Sequence, residues 1–121
     1  MAELLPENTQ VTFYDTKLRK NVDFKPRDEG KVSIYQCGPT VYDDPHLGHG
    51  RTAFTYDLIR RFFRYIGYEV TLARNITDIE DKIIAKAQQE NVEESVITKR
   101  YEQTYLEQLD SLGIERPEFD P

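Results

Sequence analysis

The 121-residue sequence is poor in cysteine, in basic residues and in long apolar runs. A single cysteine, Cys37, excludes an internal framework of disulfides, and no apolar run approaches the ~20 residues that span a bilayer. Asp and Glu outnumber Lys and Arg by 22 to 16, so the field of the whole chain repels a phosphate backbone. The opening MAELLPENTQ lacks the basic and apolar segments of a targeting peptide. We therefore expect a cytoplasmic protein without membrane contact, with a mobile start.

The stretch from Val32 to Lys82 predicts a β–α–β unit. A β-prone run from Val32 to Tyr35 ends before Gly38-Pro39, and a second alternating run covers residues 70–76. Between them, apolar residues recur at helical spacing and predict a packed helix from about His46 to Ile66. These residues are Leu47, Phe54, Leu58, Phe62, Tyr65 and Ile66. The two strands are expected to be parallel, with ligands bound beyond their carboxyl ends.

The flanking segments predict a β-hairpin before this unit and two helices after it. The hairpin strands are residues 11–14 and 21–24. The first helix follows Thr77 or Asp78 as its cap and ends at Asn91, and the second runs over residues 93–112. Residues 116–121 predict an extended linker to another domain. Because an open α/β sheet needs more strands than these, we expect the chain to be part of something longer.

The most informative pentapeptide is His46-Leu47-Gly48-His49-Gly50, at the predicted start of the long helix. Its two imidazoles are three residues apart and face the same way, and its glycines allow a ligand close to the backbone. Free N–H groups and the helix dipole favour a phosphate there. The pattern indicates hydrogen-bond donors for a phosphoryl group. The alternative is that one histidine caps the helix while the other packs.

Cys37 ends the first strand of the unit at the same edge. A lone cysteine can be a zinc ligand, a nucleophile or a small buried apolar residue, and burial is the commonest of the three. A zinc site closed within this chain would need His46, His49 and Asp43 or Asp44. That site would occupy both histidines of the phosphate interpretation, so we do not expect it, and an incomplete zinc site with partners downstream stays open.

Two further groups of polar residues have both a structural and a functional interpretation. Thr77 and Asp78, after the second strand, can hydrogen-bond a small ligand or cap the following helix. Arg60, Arg61 and Arg64 form a basic patch on the long helix. Such a patch can meet a polyanion, although a solvated helix face is the commoner explanation.

The sequence resembles the amino-terminal part of the catalytic domain of cysteinyl-tRNA synthetases, which are cysteine–tRNA ligases of class I. The motifs C-G-P-T-V-Y-D, H-x-G-H-G-R-T and R-N-I-T-D-I-x-D-K occur in order at matching spacing, with Leu47 in place of the isoleucine of the HIGH motif. The resemblance implies an α/β fold: the first half of a Rossmann-like parallel sheet, preceded by the β-hairpin. Residues 1–121 would then lack the second catalytic half and the anticodon-binding domain.

The resemblance also implies a function and a set of site residues. The family activates L-cysteine with ATP and Mg²⁺ and transfers it to tRNA(Cys). His46 and His49 match its catalytic histidines, and with Gly48 and Gly50 they match its ATP-binding motif. Cys37 matches one ligand of a Zn²⁺ ion that binds the thiolate of the substrate. Gly38 and Thr77 match positions that contact cysteine. The other zinc ligands would lie downstream, so this chain alone is expected to be inactive, and its oligomeric state stays open.

Three rival interpretations fit parts of the same pattern. A cysteine ligase of the mycothiol pathway has the same fold and adenylation chemistry but transfers cysteine to an amino sugar. A nucleotidyltransferase has its own H-x-G-H motif but leaves Cys37 and residues 75–78 unexplained. A non-catalytic module would only bind a nucleotide or a partner, and an unpaired sheet edge favours self-association.

Overall fold

The computed structural model describes residues 10–121, so the expected mobile start falls almost wholly outside the described residues. The chain forms four strands and three helices in the described region. In chain order they are β1 (Thr12–Asp15), β2 (Lys20–Asp23), β3 (Lys31–Gln36), α1 (Leu47–Tyr65), β4 (Glu69–Arg74), α2 (Asp81–Glu90) and α3 (Glu94–Ser111).

The predicted hairpin and the β–α–β unit are both confirmed. Strands β1 and β2 pair antiparallel from Thr12–Asp23 to Asp15–Lys20. Strands β3 and β4 pair parallel over six residues, and Gln36 lies opposite Arg74 in the last pair. Helix α1 connects β3 to β4. The carboxyl ends of these parallel strands therefore meet at one edge, as expected for a ligand-binding fold of this kind.

The carboxyl-terminal segment, predicted to be an extended linker, is bonded to β4, and its role as a linker to another domain stays a prediction. Phe119 forms a parallel bridge with Ala73, and the N–H of Arg74 donates to the carbonyl of Phe119 at 3.1 Å. The Glu118 carboxylate also accepts the N–H of Leu72 at 2.7 Å. The segment lies along β4, because the backbone of that strand offers hydrogen bonds that a linker in water would leave unused.

Helix α1 buries a different face from the one that its apolar spacing predicted. Its buried residues are Ala53, Asp57, Arg60 and Phe63. The predicted packing face is largely exposed: Phe54 and Leu58 are 57% and 58% accessible, and Leu47 is 89% accessible. The polar residues are inside because Asp57 and Arg60 find charged and backbone partners in the carboxyl-terminal segment. The predicted apolar stripe of α1 therefore lies on the exposed surface of the helix.

The basic patch on α1 is partly the predicted solvated helix face, since Arg61 and Arg64 are exposed, but Arg60 is buried and all three arginines pair with acids of this chain. Arg60 is buried, donates to the carbonyl of Arg116 at 2.9 Å and pairs with Glu118. Arg64 pairs with Glu115 at 2.5 Å. These contacts hold residues 115–118 against α1, so the arginines are already neutralised by the acids of the chain itself.

Helix α2 begins without either predicted cap. Its N-cap is Glu80, which makes no side-chain capping hydrogen bond, while Thr77 and Asp78 precede the helix. The end was predicted correctly, since Asn91 closes α2 in the left-handed conformation with φ 55°. Gly113 (φ 72°) likewise ends α3. Helices α2 and α3 pack together through Ile83, Ala87 and Ile97, among other residues.

Within the described part of the chain, no helix combines the length and the apolar character needed to cross a membrane.

Candidate active site

The ends of β3 and β4 are locked together by Gly38 and Asn75. The N–H of Gly38 donates to Asn75 Oδ1 at 2.8 Å. A Cβ on Gly38 would lie 1.7 Å from the carbonyl oxygen of Asn75, so only glycine fits this close approach. Beyond it, the N–H of Thr77 donates to the carbonyl of Pro39 at 3.0 Å. The loop after β3 is thereby held beside residues 75–77 at the edge where ligands are expected.

His46 is the N-cap of α1. Its backbone is extended, with φ −108° and ψ 175°, and its Nδ1 accepts the N–H of Gly48 at 3.0 Å. A Cβ on Gly48 would lie 2.7 Å from His46 Cε1, so the glycine leaves room for the ring to fold over the helix start. The helix cap therefore depends on both His46 and Gly48.

His49 completes the same cap from within the helix. Its Nδ1 accepts the N–H of His46 at 3.0 Å, and the two rings stack with centroids 4.0 Å apart. A neutral imidazole that accepts at Nδ1 carries its proton at Nε2. Both histidines thus have a fixed tautomer with an Nε2–H group available to donate. The two predicted roles, capping and donation, use different nitrogen atoms of each ring.

The surroundings of His49 favour its neutral form. Burial lowers the pKa of His49 below its ordinary value of 6.5, and the neighbouring His46 lowers this pKa further. The neutral ring keeps its Nδ1 lone pair for the backbone hydrogen bond. In the resting state His49 is therefore an uncharged hydrogen-bond donor, and it lies at a helix start that already favours anions.

Two cavities meet at His49 and Tyr105. The first has a volume of about 250 Å³ and lies between the start of α1 and the end of α3, where Leu109 and Leu112 line it. The second, of about 230 Å³, lies beneath the end of β3 and is lined by Gln36, Cys37, Gly38, Pro39, His49, Thr52 and Tyr105. His49 and four of the other predicted site residues, Cys37, Gly38, His46 and Gly50, therefore line one cavity or the other.

Sequence comparison decides the family. The model of the class I (C) tRNA synthetase catalytic domain matches residues 23–121. This chain belongs to that family. It is 48% identical over 111 residues to the cysteine–tRNA ligase of Wolinella succinogenes, covering 92% of this chain and 24% of the relative. It is 50% identical over 108 residues to the cysteine–tRNA ligase of Helicobacter pylori (strain Shi470), and this match covers 89% of this chain and 23% of the relative. The chain thus spans about a quarter of the length of these relatives.

The comparison with solved structures supports the synthetase fold. Mycobacterium tuberculosis methionyl-tRNA synthetase in complex with methionyl-adenylate superimposes with a TM-score of 0.69 at 20% identity, covering 74% of this chain and 18% of that one. The predicted α/β, Rossmann-like class I synthetase fold is therefore confirmed.

Cys37 is exposed in this synthetase domain, so the interpretation as a buried apolar residue is wrong. It follows the last residue of β3 and turns toward solvent at the rim of the second cavity. Among residues 10–121, no three His, Cys, Asp or Glu side chains lie close enough to hold a metal ion. The site closed by His46, His49 and an aspartate is accordingly not formed.

Thr77 is held at the expected edge by its backbone. Its N–H and carbonyl bond to Pro39 and Val41, and its side chain is half-buried. Asp78 is exposed. Contact of either side chain with a ligand remains a prediction.

Three residues near the site were missed by the sequence analysis: Gln36, Arg74 and Tyr105. The first two end β3 and β4 and are 1% exposed, and Tyr105 is a residue of α3 that is 2% exposed. Gln36 and Arg74 looked like ordinary strand residues, and Tyr105 matched the apolar stripe of its helix. The one available signal was the polar character of two strand residues next to predicted site residues.

Proposed function

We propose that this chain carries the phosphate-binding corner of a cysteine–tRNA ligase. The enzyme activates L-cysteine with ATP and Mg²⁺ and transfers the cysteinyl group to tRNA(Cys) in the cytoplasm. Residues 1–121 supply the amino-terminal part of the catalytic domain. Because the relatives are about four times as long, a complete enzyme also needs the regions that they have beyond the matched quarter.

One observation carries this proposal: His46 and His49 each use Nδ1 inside the helix cap and direct a donating Nε2–H elsewhere. Adenylate formation develops charge on the α-phosphate of ATP, and preorganised donors stabilise such charge most when no side chain must move. Gly48 and Gly50 leave the backbone of the first turn accessible to the same phosphate. No proton transfer is assigned to either histidine.

Cys37 fits the role of one zinc ligand. It is an exposed free cysteine at the rim of the second cavity, and a thiolate is a preferred ligand of Zn²⁺. The further zinc ligands would come from outside the described residues, since no three His, Cys, Asp or Glu side chains within residues 10–121 lie close enough to hold a metal ion. When bound, zinc would supply a soft Lewis acid for the substrate thiolate and so reject serine.

Gly38 and Thr77 would shape the cysteine site beside Cys37. Gly38 brings the loop after β3 within reach of residues 75–77, and its N–H is held by Asn75. Thr77 fixes the opposite wall through its bonds to Pro39 and Val41. With a formal charge of −6, this chain does not attract tRNA by its overall field, so the tRNA contacts are assigned to the rest of the enzyme.

The test is a chimera in which this chain replaces the matching quarter of the Wolinella succinogenes cysteine–tRNA ligase. We expect cysteine-dependent exchange of pyrophosphate into ATP and charging of tRNA(Cys). A chimera that is folded, binds zinc and shows no exchange would contradict the proposal.

A further inference from the structure

Two buried polar side chains at the ends of the paired strands have unused hydrogen-bonding atoms. Gln36 Oε1 is buried and has no hydrogen-bond partner within residues 10–121. Arg74, directly opposite in the β3–β4 register, has buried Nε and Nη2 atoms that are likewise unpaired. Such groups cost free energy unless a partner satisfies them, and they are uncommon in folded proteins. Both lie at the edge where this fold binds its ligands.

Gln36 is one of the residues that line the second cavity, next to Cys37 and Gly38. A residue with a buried, unpaired acceptor oxygen thus adjoins the predicted position of the substrate thiol. An ammonium group is the donor that such an oxygen binds most strongly, because the hydrogen bond is charge-assisted.

Tyr105 faces the same cavity and lies over the unpaired guanidinium. The Arg74 guanidinium carbon is 5.6 Å from the centre of the Tyr105 ring. Burial raises the pKa of Tyr105, although Arg74 opposes this shift, so the phenol keeps its proton and can donate. Within residues 10–121, no ion pair of Arg74 is formed, and its positive charge lies against the Tyr105 ring, which lines the cavity.

We propose that Gln36 and Tyr105 are further substrate-contacting residues, which bind the ammonium and the carboxylate of a cysteine molecule in this cavity. The cavity has a volume of about 230 Å³, which accommodates a small amino acid. Arg74 acts as a positioning residue that stabilises the carboxylate through its charge. This inference rests on the proposed function, and it adds the recognition of the α-amino acid group to the assigned thiol contact.

The inference is tested by matching variants to substrate analogues, with binding measured calorimetrically on the 121-residue chain. L-cysteine is compared with 3-mercaptopropionate, which lacks the ammonium group, and with cysteamine, which lacks the carboxylate. We expect Gln36→Met to weaken cysteine binding about tenfold or more while leaving 3-mercaptopropionate binding unchanged. Tyr105→Phe should weaken cysteine binding by a similar factor and leave cysteamine binding unchanged.

Thermal unfolding separates these effects from misfolding. Gln36→Met removes an unpaired buried oxygen at similar volume, so its melting temperature should match or exceed that of the wild type. Equal weakening of cysteine and 3-mercaptopropionate by Gln36→Met would overturn the inference, because it would indicate a packing defect. Unchanged cysteine binding in both variants would also overturn it, as would the absence of cysteine binding to the wild type at millimolar concentration.

ATP binding distinguishes this inference from the proposed function. If the chain binds ATP but neither variant distinguishes cysteine from the analogue that lacks the contacted group, only the roles of Gln36 and Tyr105 are overturned. If both variants distinguish cysteine from the analogues as expected but the chain does not bind ATP, the result supports the amino-acid site and counts against the phosphate role of the histidines.

Discussion

The ring of His49 accepts a hydrogen bond from the backbone N–H of His46, and the two imidazoles stack with centroids 4.0 Å apart. His46 in turn accepts from Gly48, so each side chain is oriented by the helix start that it caps. This arrangement fixes both Nε2–H groups before any ligand arrives. Preorganisation of this kind is what makes donors effective in stabilising transition-state charge.

Replacing His49 should therefore impair adenylate formation more than it impairs folding. In the chimeric ligase, we expect His49→Ala to slow cysteine-dependent pyrophosphate exchange by more than ~10²-fold, the scale of losing one preorganised donor. Leu47→Ile is the matched control. Leu47 is exposed on the same turn, and the change leaves both imidazoles in place. Near-normal exchange by His49→Ala would reject the donor role.

The lowered pKa of His49 predicts a pH dependence of stability. Because the folded state has the lower pKa, the unfolded chain binds more protons between that value and about 6.5. The stabilisation is complete above about pH 6.5 and is lost as the pH falls through the folded-state pKa. Protonation also places a hydrogen on Nδ1, which can then no longer accept the N–H of His46.

Urea unfolding at a series of pH values measures this effect. Between about pH 7.5 and about pH 5.5, the unfolding free energy of the wild type should fall more than that of His49→Gln, whose amide does not titrate. Parallel curves for the two proteins would show that His49 makes no pH-dependent contribution.

Gly38→Ala should be strongly destabilising. The added methyl group would overlap the backbone oxygen of Asn75, which cannot rotate away as a side chain can. We expect a loss of about 3 kcal/mol in unfolding free energy or failure to fold. Gly50→Ala is the control, since its Cβ would only touch Leu112 Cδ1 at 3.4 Å and alanine favours a helix. Thermal unfolding of both variants checks the difference, and equal melting temperatures would contradict it.

The sequence predicted the elements more reliably than the faces that they bury. Period and turn residues located both strands of the β–α–β unit and the carboxyl-terminal ends of all three helices, because backbone preferences act locally. The face of α1 was predicted wrongly, since Asp57 and Arg60 are buried by partners 58 and 56 residues away along the chain. Apolar spacing contains no information about such partners.

The candidate site was predicted to a similar extent. The His46–His49 motif, Cys37 and Gly38 carry local signals and lie at the expected edge. Gln36 carries only the weak signal of a polar strand residue and Tyr105 carries none, because their significance depends on which residues the β3–β4 pairing and the packing of α3 bring to one cavity. A buried oxygen without a partner becomes apparent only in three dimensions.

Zinc binding should depend on Cys37. In the chimeric ligase, where the regions beyond the matched quarter are present, Cys37→Ser should reduce the zinc content of the dialysed protein to well below one equivalent. Ser33→Ala, at an exposed position of the same strand, is the control and should keep its zinc. Atomic emission gives the metal content. A full equivalent of zinc in Cys37→Ser would show that the thiol is not a ligand.

The carboxyl-terminal segment should depend on Glu118 for its attachment. Its carboxylate pairs with the buried Arg60 and accepts the N–H of Leu72, so Glu118→Gln would leave a buried guanidinium without its main counter-ion. We expect a loss of about 2 kcal/mol, reduced from the full cost of a buried charge because Glu118 is partly exposed.

Glu115→Gln provides the comparison for Glu118→Gln, since the Glu115 carboxylate is 3.9 Å from Arg60 and its other partners are more exposed than Arg60. The loss of unfolding free energy in Glu115→Gln should be well below that in Glu118→Gln.

The pKa of Glu118 predicts a pH dependence of this stabilisation. Burial raises this pKa, but the hydrogen bonds from Leu72 and Arg60 outweigh burial and hold it below its ordinary value. The stabilisation by Glu118 is therefore present above about pH 4.5 and lost as the pH falls through the folded-state pKa. Urea unfolding at neutral and acidic pH tests both statements. A difference between the variants that persists unchanged into acid would contradict the assignment, because the protonated Glu118 would then be as effective as the ion.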